Sequence, residues 1–238
     1  ISGATNLAQY SISGNSFSTA NLFTSFTSSD VNDVVFAPDN KTIIIGGENM
    51  VANGGASSTI LVVNGSTITE INETNAGGIL CATDSYVYST GYTTKGVLLR
   101  IPYTNLTHEG IEILDWFDYT NLYDMQYDKN NNRLVICGDS FSLVGGRSSS
   151  NSFAIFDFMD EAKQEIEYYS SSGTGLVLTS LSQGIHSNYY VTGESTHNNP
   201  LLVGKFDPFS GEGITINGVE ILQNKSMTFR YIDGSWTN

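Results

Sequence analysis

Five carboxylates, Asp33, Asp124, Glu48, Asp139 and Glu194, stand on or at the ends of strand-like runs. Two of them gathered in one open cleft, ~5–10 Å apart, would supply the acid and the base or nucleophile of a glycosidase. Asp33 and Asp124 occupy equivalent places in two repeats, and repetition alone explains that, because a recurring Asp can accept hydrogen bonds from a neighbouring repeat's backbone. The structural role is the expectation, with the glycosidase as the alternative.

Other chemistry is thinly supplied. Asp128-Lys129-Asn130-Asn131-Asn132 opens like a calcium loop with Asp139 at the twelfth place, but Arg133 stands where such a loop turns on glycine. A plain hairpin turn is expected there. His108, His186 and His197 are far apart, and the Glu194–His197 spacing falls in a loop. No phosphate-binding loop, zinc motif or nucleophile elbow occurs. Cys81 and Cys137 both lie in apolar runs and read as buried small hydrophobes, with a single bridge open if the two runs are neighbours. The sequence therefore predicts no catalytic residue, no metal site and no cofactor.

The chain has 238 residues and a net charge of −14, with Lys+Arg 10 against Asp+Glu 24. Such a surface repels phosphate backbones and anionic headgroups, which argues against nucleic acid as a partner. No run reaches the ~20 apolar residues of a membrane-spanning helix, so no direct membrane insertion is expected. The chain opens on Ile1-Ser2-Gly3 with no leader-like segment, as a processed product or a fragment would. Asn40, Asn64, Asn72, Asn105 and Asn224 begin N-x-S/T sequons and are the glycosylation candidates. A chain this rich in Asn, Ser and Thr carries about as many by chance.

The elements that must position these groups are announced by repetition. Four short β-prone runs end on a glycine followed by a charged or aromatic residue, at Gly47, Gly91, Gly138 and Gly193, with intervals of 44, 47 and 55 residues. A four-stranded propeller blade takes roughly 40–50 residues. Each run is preceded by a strand and a turn, two of them rich in Asp and Asn (38–41 and 128–132), and followed by two more strands. The second run of each unit is the most continuously apolar, as expected of a strand packed on both faces, and the fourth alternates, as expected beside water. The four glycines are expected to let backbones converge, with a cost for Ala above ~1 kcal/mol if φ is positive.

The expected fold is therefore all-β: a propeller of four-stranded blades, about five in number or part of a larger propeller, in a single domain over 1–238 that starts and ends within a blade. Residues 6–12 and 17–23 read as the outer strands of one blade, and Met227–Ile232 as an inner strand that would close the ring. Residues 159–167 form the one helix-like stretch, suited to a single turn between strands.

The third unit, Leu134-Val135-Ile136-Cys137-Gly138-Asp139-Ser140-Phe141, then Gly145-Gly146, then Phe153-Ala154-Ile155-Phe156-Asp157, resembles kelch-like and "delta-60" propeller repeats. Similar blades occur in fungal cortical polarity-marker glycoproteins. The resemblance covers roughly residues 6–207; the second unit lacks the Gly-Gly turn and the aromatic-Asp ending. It implies an extracellular or cell-surface scaffold or adhesion protein, non-catalytic, with a protein or glycan partner. The aromatic residues Tyr92, Tyr103, Trp116, Phe117 and Tyr119 have no evident core position and are the candidate binding patch. Asp233-Gly234-Ser235-Trp236 is similar to one Asp-box of sialidase propellers, without the spacing. A surface filament or layer assembled by strand exchange is a further alternative.

Overall fold

A computed structural model describes the backbone of residues 8–13, 16–74, 76–91, 95–118, 121–143, 151–160, 163–170, 176–183, 189–195, 199–206, 215–216, 219–220, 223–232 and 235–237, and side chains within 21–74, 76–91, 97–114, 122–138, 177–183 and 189–193. The chain is all-β. Its strands form several antiparallel sheets, none of which closes on itself among the described residues. Contacts divide it into two compact units, Ile1–Gly91 with Val97–Leu114, and Tyr92–Gly96 with Asp115–Asn238.

The first unit opens with the hairpin β1 (Ala8–Ser13) and β2 (Ser16–Asn21), which pair with each other. The two-residue strand β3 (Phe26–Thr27) comes next. A meander of four successive antiparallel strands follows: β4 (Asp30–Phe36), β5 (Ile43–Ala52), β6 (Ser58–Asn64) and β7 (Thr67–Ile71). A second meander runs β8 (Leu80–Ala82), β9 (Tyr86–Thr90), β10 (Lys95–Pro102) and β11 (Glu112–Asp118). A short 3-10 turn at His108–Gly110 links its last two strands.

Alternation along each strand sends neighbouring side chains to opposite faces. In the first meander the central strands β5 and β6 are buried on both faces. Ile44, Ile60 and Val62 pack with Leu80, Val87, Leu99 and Ile101 of the second meander. Ile43, Ile45, Leu61 and Val63 pack on the other side with Phe23, Phe26 and Met50. This is why the second strand of the unit carries an unbroken apolar run: neither face meets water. The fourth strand, β7, is buried only at Ile71 and is otherwise half-buried or exposed, as its alternation predicts.

The second unit repeats the pattern. Its meander comprises β12 (Asn121–Asp128), β13 (Arg133–Leu143), β14 (Asn151–Asp160) and β15 (Lys163–Ser170). Three further strands, β16 (Leu176–Gln183), β17 (Tyr189–Ser195) and β18 (Asn199–Phe206), pair in sequence. Turn chemistry follows the sequence. Asn40 and Asn132 hold left-handed conformations, φ 54 and 52, in the β4–β5 and β12–β13 turns.

Three expectations are corrected. The described residues of the stretch 159–167 are strand, not helix: β14 runs to Asp160 and β15 starts at Lys163, with β pairing between the two strands. The second of the two strands expected after the fourth glycine run does not join β18 among the described residues; there β19 (Thr215–Ile216) pairs with β20 (Val219–Glu220). The C-terminal strand β21 (Gln223–Ile232) closes no ring among the described residues; it pairs with β15 and with β22 (Ser235–Thr237). An alternating polar–apolar strand serves equally well beside any free sheet edge, so its pattern does not name its partner.

Gly47 and Gly193 do not have positive φ. They are small because backbone lies against them. A Cβ on Gly47 would strike the Asp30 carbonyl oxygen and come within 2.8 Å of Met50 Sδ, and one on Gly193 would strike the Val177 carbonyl. Leu99→Ala, at a site with no solvent exposure, should lower unfolding free energy by about 2–5 kcal/mol in denaturant titration. Val34→Ala, at a side chain 45% exposed, should change it by no more than about 0.5 kcal/mol.

Candidate functional site

The two equivalent aspartates hold the meanders together. In the first unit the β4–β5 register slips between Val31 and Asp33, leaving a bulge. Asp33 Oδ1 accepts the Val34 N–H at 2.7 Å, and Oδ2 accepts the Leu80 N–H of the next meander at 2.9 Å. In the second unit the β12–β13 register slips between Leu122 and Asp124. Asp124 Oδ1 accepts the Met125 N–H at 2.8 Å, while Oδ2 accepts the Leu181 N–H at 2.8 Å and the Ser180 hydroxyl at 3.0 Å. Both carboxylates are engaged by structural donors, the arrangement a recurring backbone-binding Asp calls for. Glu48 is half-buried. Asp139 lies on β13 and Glu194 on β17, with side chains outside the described residues.

Asp128 ends β12 and is fully buried. Its Oδ1 accepts the N–H groups of Asn130 and Asn131 at 3.1 and 3.2 Å, and Oδ2 accepts the Asn131 amide at 2.8 Å and the Tyr189 hydroxyl at 2.9 Å. The calcium-like run is thus a hairpin turn whose carboxylate is filled by N–H and O–H donors. Asp39 builds the corresponding turn of the first meander, accepting from the backbone of Lys41 and Thr42 and from the Thr42 hydroxyl. Among the described residues no group of three or more metal-ligating side chains occurs. Cys81 and Cys137 are free thiols, both buried. Burial pushes the Cys137 thiol well above its ordinary range.

Of the candidate aromatics, Tyr92 and Tyr119 lie outside the described residues, and Trp116 and Phe117 are on β11 with side chains outside them. Tyr103 follows β10. It is half-buried against the core shared by the first two meanders, rather than standing free on a surface. Asn40, Asn64, Asn72 and Asn105 are all exposed; Asn224 lies on β21, its side chain outside the described residues. His108 is exposed, with Nε2 3.5 Å from Glu73 Oε2, while His186 and His197 lie outside the described residues. Among the described residues, no helix is long and apolar enough to cross a membrane.

Tyr103 leads to a feature the sequence did not single out. An open cleft of about 430 Å³ in the first unit runs between the β4–β5 turn, the outer strands β6 and β7, and the β8–β9 and post-β10 turns. Ala37, Val62, Leu106 and the Tyr103 ring form its apolar part; Asp39, Asn64, Thr67, Thr69 and Asp84 supply polar groups. The Tyr103 hydroxyl is buried beside the Thr83 backbone, without a well-formed hydrogen bond. Burial pushes the phenol up to about 12; the Thr83 backbone nearby acts against this, and the charges of Asp39 and Asp84 add to it. Thr67 and Thr69 on β7, Asp84 and Leu106 come from three separate chain segments with no shared motif, so only the fold brings them together.

Comparison with protein-family models, curated proteins and solved structures finds no match to this chain.

Two outcomes follow from the carboxylates. Asp33→Ala strands the Leu80 N–H, at a buried residue, and should cost about 1–3 kcal/mol, read by denaturant titration, while water replaces the carboxylate at the exposed Val34 N–H. Burial alone would raise the Asp128 carboxyl, but donors from Asn131, Tyr189 and Gln183 outweigh it and hold its pKa below the ordinary 3.8. Its contribution to stability is therefore complete above that value and lost as pH falls through the lower folded-state value. Stability curves of wild type and Asp128→Asn should accordingly differ most near neutrality and draw together below about pH 4.

Proposed function

We propose that this chain is a non-catalytic scaffold of an extracellular or cell-surface protein, its meanders arranged as β-propeller blades of the kelch-like kind, presenting surface to a protein or glycan partner. The observation that carries this reading is the repeated use of Asp33 and Asp124 to fasten one meander to the next. Residues equivalent between repeats serve architecture here, which favours a scaffold over a glycosidase built on the same two carboxylates. The four exposed sequon asparagines suit a secreted glycoprotein, and the abundance of acidic over basic residues suits neither nucleic acid nor an anionic membrane.

Assembly through a sheet face is the second reading. It rests on Val34 and Phe36, 45% and 52% exposed on β4, an apolar pair that another strand-bearing surface would cover. Sedimentation separates the two: a monomer at micromolar concentration favours the scaffold.

The intact chain, immobilised and presented with cell-surface proteins and a glycan array, should bind at least one saturably and turn over none of a panel of chromogenic glycosides. Turnover abolished by Asp33→Asn or Asp124→Asn, without loss of folding, would overturn the non-catalytic reading.

A further inference from the structure

We propose that the cleft beside Tyr103 is a saccharide subsite, binding a neutral, hydroxyl-rich ring between the first two meanders. This deepens the adhesion reading and rests on it for biological context, though not for the geometry. At about 430 Å³ the cleft falls in the range of small-ligand pockets. Its composition selects the ligand. Val62, Leu106, Ala37 and the Tyr103 ring offer an apolar wall for the C–H face of a sugar. Asp39, Asp84, Asn64 and two threonine hydroxyls offer acceptors and donors for ring hydroxyls. None of the lining residues is basic, so an anionic ligand meets only like charge.

The Tyr103 hydroxyl is shielded from solvent and lies beside the Thr83 backbone, so it is the ring, not the hydroxyl, that Tyr103 offers to a ligand. The saccharide has two available sources: the glycan of a partner, or an N-glycan on this chain's own Asn64, which lines the same cleft and is exposed.

The test uses the full chain made without glycosylation and titrated with neutral oligosaccharides ending in N-acetylglucosamine, mannose or galactose. At least one should bind. Asp84→Ala, which removes an exposed carboxylate from the lining, should weaken it about three- to tenfold with folding retained. Thr67→Phe, filling the cleft from an exposed position, should abolish binding. No binding by wild type, or binding untouched by both variants, would overturn the subsite. The adhesion reading would survive either result and fall only if the intact chain captures neither proteins nor glycans. In chain secreted from a glycosylating host, Asn64→Gln should raise affinity for the free sugar if the chain's own glycan fills the cleft, and leave it unchanged if a partner's does.

Discussion

A buried backbone N–H without an acceptor is among the more costly defects a β-protein can carry, and a bulge at the head of a strand threatens to create one. Here a carboxylate at each bulge supplies that acceptor to the next set of strands, Asp33 to Leu80 and Asp124 to Leu181. One oxygen of Asp33 accepts the N–H that follows it in its own strand, and the other accepts the N–H of Leu80 in the next meander. Asp124 does the same with Met125 and Leu181. The consequence is register: β8 can sit beside β4, and β16 beside β12, in only the one alignment that brings that N–H to the free oxygen. The apolar faces then have a fixed partner, and Ile44 and Val62 meet Leu80 and Leu99 rather than sliding over them.

The device does not recur in every repeat. The positions equivalent to Asp33 and Asp124 in the second and fourth sets of strands are Ile79, whose carbonyl accepts from Thr90, and Ser180, whose hydroxyl donates to Asp124. Donor and acceptor repeats therefore alternate, and each compact unit contains one fastened pair. The larger period is the 91 residues between Asp33 and Asp124, two meanders long. Burial of both faces of β5 and β6 follows from the same stacking logic, and the small residues at Gly47 and Gly193 follow from how closely the backbones approach.

The strand content and four-strand grouping were legible in the sequence because period-two alternation, Asp/Asn turns and terminal glycines all act locally. The equivalence of Asp33 and Asp124 was legible too, with its structural meaning. The hairpin chemistry at Asp39 and Asp128 could be read from residue types alone. What could not be read was long-range choice. β21 alternates as an edge strand should, yet nothing in Met227–Ile232 specifies β15 as its neighbour. The helix-forming residues of 159–167 yield to ladder pairing between β14 and β15. The cleft was out of reach for the same reason: Tyr103 was visible as an aromatic without a core position, but its half-buried setting and its neighbours Thr69 and Asp84 depend on how two meanders stack.

The most direct measurement is amide hydrogen exchange at Leu80 and Leu181, compared between wild type and chains in which Asp33 or Asp124 is replaced. If the carboxylate fastens one meander to the next, the Leu80 amide loses protection when Asp33 is removed while Leu181 keeps it, and the reverse holds for Asp124. Unchanged protection at both amides in both variants would mean that the meanders are held in register by something else.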